Sequence, residues 1–405
     1  MAFLDNLPNE LFGQIFSHLN CQDLVLACQV SRRFNTLAEP YLYRVTSVQT
    51  SRVYLLLRTL LSRPMLGNHV RHLNFMRLGG FASFPTAQPD VALLTAGAER
   101  FGIKQPTGSE AAELLLLLHL LPSLDILYNS LGYDPNMLAG FLGDQDFHSD
   151  ALPVGLQSLR ELHCDYEFNV SRKNLRKIMQ LPLLRVLRVT MEDDTGVEGV
   201  EIDKWTGSSA VTDLAITSSY VTTRQLKTIL MIPQAAVRFS FSAHRALAFG
   251  DFDASRIWRA LGLHRQTLQY VQLQIDDNEY ENFDDDVYES FDDGVVEHTA
   301  ISSLRHWPVL RTIDCSISRL LGYGREKAVM RLVDLLPMSI RELVLDGDEF
   351  WMEGEVIDEL VHLMEMKEVA GLDYLRVVEV PEGMGQDIRL REAFEAVGVE
   401  LKTFP

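Results

Sequence analysis

The chain has 405 residues, well beyond the ~150 of a typical single domain, so two unequal domains or an elongated repeat with an appendage are expected. Hydrophobic residues at 47% and charged residues at 23% exclude a mostly disordered or fibrous chain. With 37 basic against 56 acidic side chains the net charge is −19, a field that disfavours nucleic acid and anionic membranes as partners and favours basic ones.

The four cysteines, Cys21, Cys28, Cys164 and Cys315, contain no C-x-x-C pair, so neither a disulfide framework nor a thiolate zinc site is indicated. No basic, apolar leader opens the chain. Its greasiest run, 114 to 121, is interrupted by His119 and stopped by Pro122. A cytoplasmic or nuclear protein is expected, and the sequon Asn169-Val170-Ser171 reads as chance.

Three short helices are expected in the first forty-five residues. Leu11, Ile15 and Leu19 recur at i, i+4, i+8, with Phe12 and Phe16 on the adjoining stripe, Pro8 suited to a first helical turn and Glu10 near the positive end of the helix dipole. Asn20 and Asp23 resemble a capping pair for a second helix through Leu24, Val25, Leu26, Cys28 and Val30. Ser31 can cap a third, 34 to 38, ahead of Pro40. A unit this small buries too little apolar surface to be robust alone and is expected to complete its core on another protein.

The run Leu-Pro-x-Glu-Leu-x-x-x-Ile-Phe-Ser-x-Leu, then Asp-Leu, Val-Ser-Arg-x-Phe-x-x-Leu-Ala and Pro-x-Leu-Tyr, resembles an F-box over residues 4 to about 45. The resemblance, to fungal-type F-box proteins, implies docking on the adaptor Skp1 and, through it, on the cullin of an SCF ubiquitin ligase. It places Leu7 and Pro8 at the signature dipeptide and Leu11, Ile15, Leu19, Leu24, Val30, Phe34 and Leu37 at the motif's apolar positions, with Phe34 where many members have Trp. The alternative is a plain three-helix cap on the following domain.

From about residue 65 an apolar-x-x-apolar-x-apolar pattern recurs, often after Pro. Examples are Val70-x-x-Leu73-x-Phe75, Leu159-x-x-Leu162-x-Cys164, Leu184-x-x-Leu187-x-Val189, Leu268-x-x-Val271-x-Leu273 and Leu375-x-x-Val378-x-Val380, with ten such strands in all. Helix-like stretches at 110–121, 171–181, 222–232, 326–336 and 355–366 separate them. The expected fold class is α/β: an N-terminal three-helix F-box (1–45) followed by an irregular leucine-rich-repeat-like solenoid (46–405), resembling the degenerate repeats common behind F-boxes. An ordinary α/β sheet of βα units is the alternative.

Strand parity places Glu161, His163, Val186, Arg188, Asp213, Ala215, Arg238, Ser240, Tyr270, Gln272, Gln274, Asp314, Glu342, Val344 and Asp346 on the face away from the core. Of these, Glu161, His163, Arg188, Asp213, Arg238, Tyr270, Gln272, Asp314 and Glu342 are candidates for binding a protein substrate. Two insertions break the pattern. Residues 79–108, rich in Gly and Pro, read as an irregular excursion. The stretch near 276–298 carries ten carboxylates between Asp276 and Asp293 among Tyr280, Phe283, Tyr288 and Phe291. It reads as a solvated loop, an arm for basic substrate segments, or a calcium binder lacking the usual loop spacing.

Phosphate-loop, nucleophile-elbow, zinc-protease and dinucleotide motifs are absent from the sequence. In His163-Cys164-Asp165 the alternation of a strand puts the thiol on the opposite face from its neighbours, and His69-Val70-Arg71-His72 reads as a turn entering a strand. The expectation is a non-catalytic substrate-receptor subunit with no cofactor and no metal, binding Skp1 and a protein substrate; the alternative is a Skp1-bound scaffold acting without a cullin.

Overall fold

The computed structural model describes residues 7–49, 52–76, 88–103, 110–129, 153–164, 172–191, 206–218, 223–244, 254–276, 303–321, 330–346 and 353–404. The chain forms two compact units, Met1–Val189 and Thr190–Pro405, of mixed α/β structure. The acidic stretch 277–298, Asp165 and the sequon lie outside the described residues.

The first unit begins with Asn9–Ser17 (α1), Cys21–Val30 (α2) and Arg32–Arg44 (α3). Both expected caps form. Asn20 Oδ1 accepts from the Asp23 N–H at 3.0 Å while its amide donates to the Asp23 carboxylate at 2.7 Å, and Ser31 Oγ accepts from the Phe34 N–H at 3.2 Å. The third helix departs from expectation by continuing through Pro40 to Arg44. Proline removes one donor, but Ala38 is buried and Tyr41 and Leu42 pack on the same cluster, so tertiary contacts hold the last turn.

α3 passes without a linker into Val45–Gln49 (β1). Val53–Ser62 (α4), a 3-10 turn at Pro64–His69, His72–Met76 (β2), Gln88–Arg100 (α5), Glu110–Leu120 (α6), Ile126–Asn129 (β3), Val154–Ser158 (α7), Glu161–Cys164 (β4), Arg172–Met179 (α8) and Val186–Met191 (β5) follow. The strands pair in parallel and in chain order, in registers Val45↔His72, His72↔Ile126, Ile126↔Glu161 and Glu161↔Val186.

The second unit contains Asp213–Ser218 (β6), Thr223–Leu230 (α9), Arg238–His244 (β7), Ala254–Leu261 (α10), Tyr270–Asp276 (β8), Thr312–Cys315 (β9), Ile317–Leu321 (α11), Leu332–Leu335 (α12), Glu342–Val344 (β10), Glu353–Met366 (α13), Val377–Pro381 (β11), Ile388–Val397 (α14) and Glu400–Phe404 (β12). It too is parallel and in chain order from β6 to β12. All ten strands expected from the apolar pattern form; β1 and β12 are additions. No described helix is long and apolar enough to cross a membrane.

In both units alternate strand residues are buried: Leu73 and Phe75, Leu162 and Cys164, Leu187 and Val189, Phe239 and Phe241, Val378 and Val380. Their neighbours face the other way and are mostly not buried. Parallel strands need crossover connections, and right-handed crossovers in a sheet whose order never reverses all fall on one face. Neighbouring helices accordingly pack side by side, α4 on α5 and α6, α9 on α10, and α13 on α14.

The expected irregular excursion at 79–108 is corrected in part, because Gln88–Arg100 is helical. Gly97, inside that helix, sits where a Cβ would come within 2.9 Å of a Leu61 methyl, so it permits close approach of α5 to α4. Residues 77–87 and 104–109 lie outside the described residues.

Gly67 is tighter still: a Cβ there would lie 1.9 Å from the Leu120 carbonyl oxygen, and backbone cannot swing aside. Gly67→Ala should lower the unfolding free energy by about 1–3 kcal/mol. Gly97→Ala should change it less, since Leu61 can rotate and alanine is the better helix former. Thermal denaturation of both variants checks the order.

Candidate functional site

The first candidate surface lies on the N-terminal helices. Phe12 and Phe16 point inward, ring centroids 5.7 Å apart, with Phe34 edge-on to them at 4.9 and 5.9 Å and Leu24 and Ala38 completing a small core. Each residue of a helix turns the side chain by about 100°. Leu11 and Ile15, one position before each inward phenylalanine, therefore face out and remain 42% and 45% exposed. On α2, Leu26 and Val30 sit one turn apart on the side away from Leu24, 61% and 59% exposed.

The nine residues expected to touch an adaptor thus divide. Pro8, Leu11, Ile15 and Val30 are exposed, whereas Leu7, Leu19, Phe34 and Leu37 are half-buried against the cluster. Leu24 is buried within it and serves the unit's own core. Two residues outside that set matter. Leu26 shares the i, i+4 spacing with Val30 and could have been found by it. Arg33, a variable position of the motif, gave no signal: its Nη2 donates to the Leu7 carbonyl at 2.6 Å and to Asn9 Oδ1 at 2.9 Å, and its guanidinium lies 5.1 Å from the Phe12 ring centroid. Arg33 fixes the Leu7-Pro8-Asn9 turn on α3.

The second candidate surface is the sheet face opposite the buried strand residues. In the first unit Tyr128 stacks on His163 at 4.3 Å, His163 Nε2 lies 3.5 Å from Glu161 Oε2, and Arg188 is the register partner of His163. Cys164 is buried on the opposite face, so thiol and imidazole do not converge. His69 ends the 3-10 turn and His72 starts β2, as expected of a turn entering a strand.

In the second unit the remaining six candidates form cross-strand contacts. Arg238 lies 3.5 Å from the Asp213 carboxylate and 4.3 Å from the Tyr270 ring centroid. Burial raises the Tyr270 hydroxyl pKa, Asp314 adds to the rise, and Arg238 opposes it. Two residues along the register, the Ser240 hydroxyl donates to Gln272 Oε1, and Gln272 Nε2 donates to Asp314 Oδ2 at 2.7 Å. Thr312 donates to Glu342 at 3.3 Å, and Lys402 Nζ lies 3.4 Å from Glu379. Glu379, missed in the sequence, is at an outward parity position of β11.

Asp314 departs from expectation. It occupies the outward parity position but is only 8% exposed, and its Oδ1 has no hydrogen-bond partner among the described residues. Burial pushes its pKa up to about 6, the Gln272 hydrogen bond resists, and Asp346, Glu379 and Glu342 push it further. Among the described residues no cluster of His, Cys, Asp and Glu could hold a metal ion.

Residues 4–47 match the family model described as F-box-like. The match covers the three N-terminal helices and the first residues of β1. No curated protein matches the chain.

Because the folded-state pKa of Asp314 lies above its unfolded value near 3.8, the folded state holds the extra proton between pH 4 and 6, and stability falls as pH rises through that window. Asp314→Asn should therefore stabilise the protein at pH 7.5, by on the order of 3 kcal/mol, since each tenfold change in proton affinity is worth about 1.4 kcal/mol. The gain should vanish below pH 4. Thermal denaturation from pH 4 to 8 checks both.

Proposed function

We propose that this chain is the substrate-receptor subunit of an SCF-type E3 ubiquitin ligase, acting in the cytoplasm or nucleus. Residues 1–45 dock on a Skp1-like adaptor and through it on a cullin. Residues 46–405, an irregular leucine-rich-repeat-like solenoid, hold the protein to be ubiquitinated. The subunit performs no chemistry; holding a substrate lysine near a charged conjugating enzyme raises the effective concentration of the two.

The observation that carries the reading is the outward apolar set Leu11, Ile15, Leu26 and Val30 on helices of a segment that matches an F-box-like family, while the inward set fills the unit's own core. Apolar side chains presented on short helices suit burial by a partner, at roughly 1.5–3 kcal/mol each when fully covered. The α3–β1 junction supports it further: with no residue between helix and strand, whatever the first unit's sheet holds is fixed relative to the docked adaptor.

The repeat reading draws support from one recurring hydrogen bond. The residue ahead of most strands donates its N–H to the carbonyl of its counterpart in the preceding repeat, as in Asp125→Arg71, Arg160→Asp125 and Arg185→Arg160 in the first unit, each at 2.8 Å. In the second unit Gln269→Val237, Arg311→Gln269 and Arg341→Arg311 repeat it at 2.8 Å.

A pull-down of the full chain against Leu11→Ala, Ile15→Ala should show at least a tenfold loss of adaptor, since about 1.4 kcal/mol is a factor of ten. The melting temperature should be unchanged, because both side chains are exposed. Retention of the adaptor by the double variant contradicts the reading. Retention of the adaptor by wild type without any cullin points to the scaffold role instead.

A further inference from the structure

In the second unit the outward-parity sheet face gathers carboxylates on neighbouring strands. Asp314 on β9 shares one electrostatic neighbourhood with Glu342, Asp346 and Glu379. Register places Asp314 between Gln272 and Val344, with Glu379 one strand beyond. Among the described residues the cations nearest by register are both engaged, Lys402 by Glu379 and Arg238 by Asp213 and Tyr270.

A crowd of carboxylates alone is ordinary solvated surface. Asp314 is not ordinary: its side chain is more than nine-tenths buried, one oxygen is satisfied by Gln272, and the other, Oδ1, has no partner among the described residues. A buried unpaired carboxylate oxygen is destabilising, and the neighbouring acids make it more so. An amide at this position would keep the Gln272 bond and remove the charge. The arrangement is instead that of a pre-formed acceptor whose missing donor is positively charged, since only a cation offsets the local field as well as filling the hydrogen bond.

We propose that this sheet face binds a basic peptide segment of the partner protein, with an arginine or lysine side chain donating to Asp314 Oδ1 and Glu342, Asp346 and Glu379 surrounding its charge. The inference deepens the receptor reading, on which it rests, by giving the substrate's chemistry. Charge complementarity selects the occupant: the chain's net charge is −19, and the sequence that follows β8 adds further acidic residues. An acidic or phosphorylated segment would meet repulsion at the same place.

The test is fluorescence anisotropy of the full-length protein with a labelled peptide, Gly-Arg-Gly-Arg-Gly-Arg-Gly, against the same peptide with citrulline, which keeps shape and loses charge. Wild type should bind the arginine peptide at least tenfold more tightly. Asp314→Asn should lose tenfold or more, whereas Glu395→Gln, which removes an equal charge from an exposed position on α14, should stay within twofold.

Equal effects of the two substitutions would mean diffuse attraction and overturn the proposal, as would wild type failing to separate arginine from citrulline. Misfolding cannot mimic the expected result, because Asp314→Asn is expected to melt higher at pH 7.5 while binding less. Adaptor capture by Asp314→Asn should match wild type, so failure here leaves adaptor docking standing, and failure of docking leaves the peptide result readable.

Discussion

A parallel strand pair cannot be closed by a tight turn; the chain has to return along the outside of the sheet before the next strand can be laid down. When the strand order also never reverses, every right-handed return falls on the same side. In each unit one sheet face is packed under helices, and the other carries the outward-parity side chains, most of them partly exposed. The first face is lined by Leu73, Leu127, Leu162 and Leu187 in one unit and by Leu214, Phe239, Val271, Ile313, Leu343 and Val378 in the other. That second face is largely polar, and its residues can vary without disturbing the core, which makes it a surface on which recognition can be built.

The N-terminal helices solve a different problem with the same residue types. α1 and α2 carry apolar residues on two sides, and only one side is used internally. Phe12, Phe16 and Leu24 meet α3, and Arg33 ties the chain ahead of α1 to that same helix. Leu11, Ile15, Leu26 and Val30 are left outside. The helix α3 then becomes the first strand's lead-in, so the N-terminal helices and the first unit's sheet share one continuous backbone segment.

Much of this was legible in the sequence because the signals are local or strictly periodic. The caps at Asn20 and Ser31 and the ten apolar strand patterns depend on residues within a few positions of one another. The reading failed where tertiary packing overrides a local rule. Pro40 reads as a stop, yet Ala38, Tyr41 and Leu42 hold the helix beyond it. Residues 79–108 read as an irregular excursion, yet 88–100 is helical and Gly97 marks where α5 meets Leu61. Parity places Asp314 on the outward side, yet it is buried, and the groups that act on it, Gln272, Glu342 and Glu379, come from β8, β10 and β11, tens of positions away in sequence. Arg33 is a variable position in the motif, and only the fold shows the Leu7 carbonyl in its reach. The split of the nine apolar motif residues into outward and inward sets likewise needs the third helix in place, since spacing along α1 cannot say which stripe faces α3.

The most direct measurement is hydrogen–deuterium exchange of the full-length protein with and without a Skp1-like adaptor. Slowed exchange confined to α1, α2 and the turn ahead of α1, with strands β6 to β12 unchanged, is the expected result, because backbone amides slow where a partner covers them. Unchanged exchange across α1 and α2, or slowing centred on the strands, would contradict the assignment of the outward apolar set to adaptor docking.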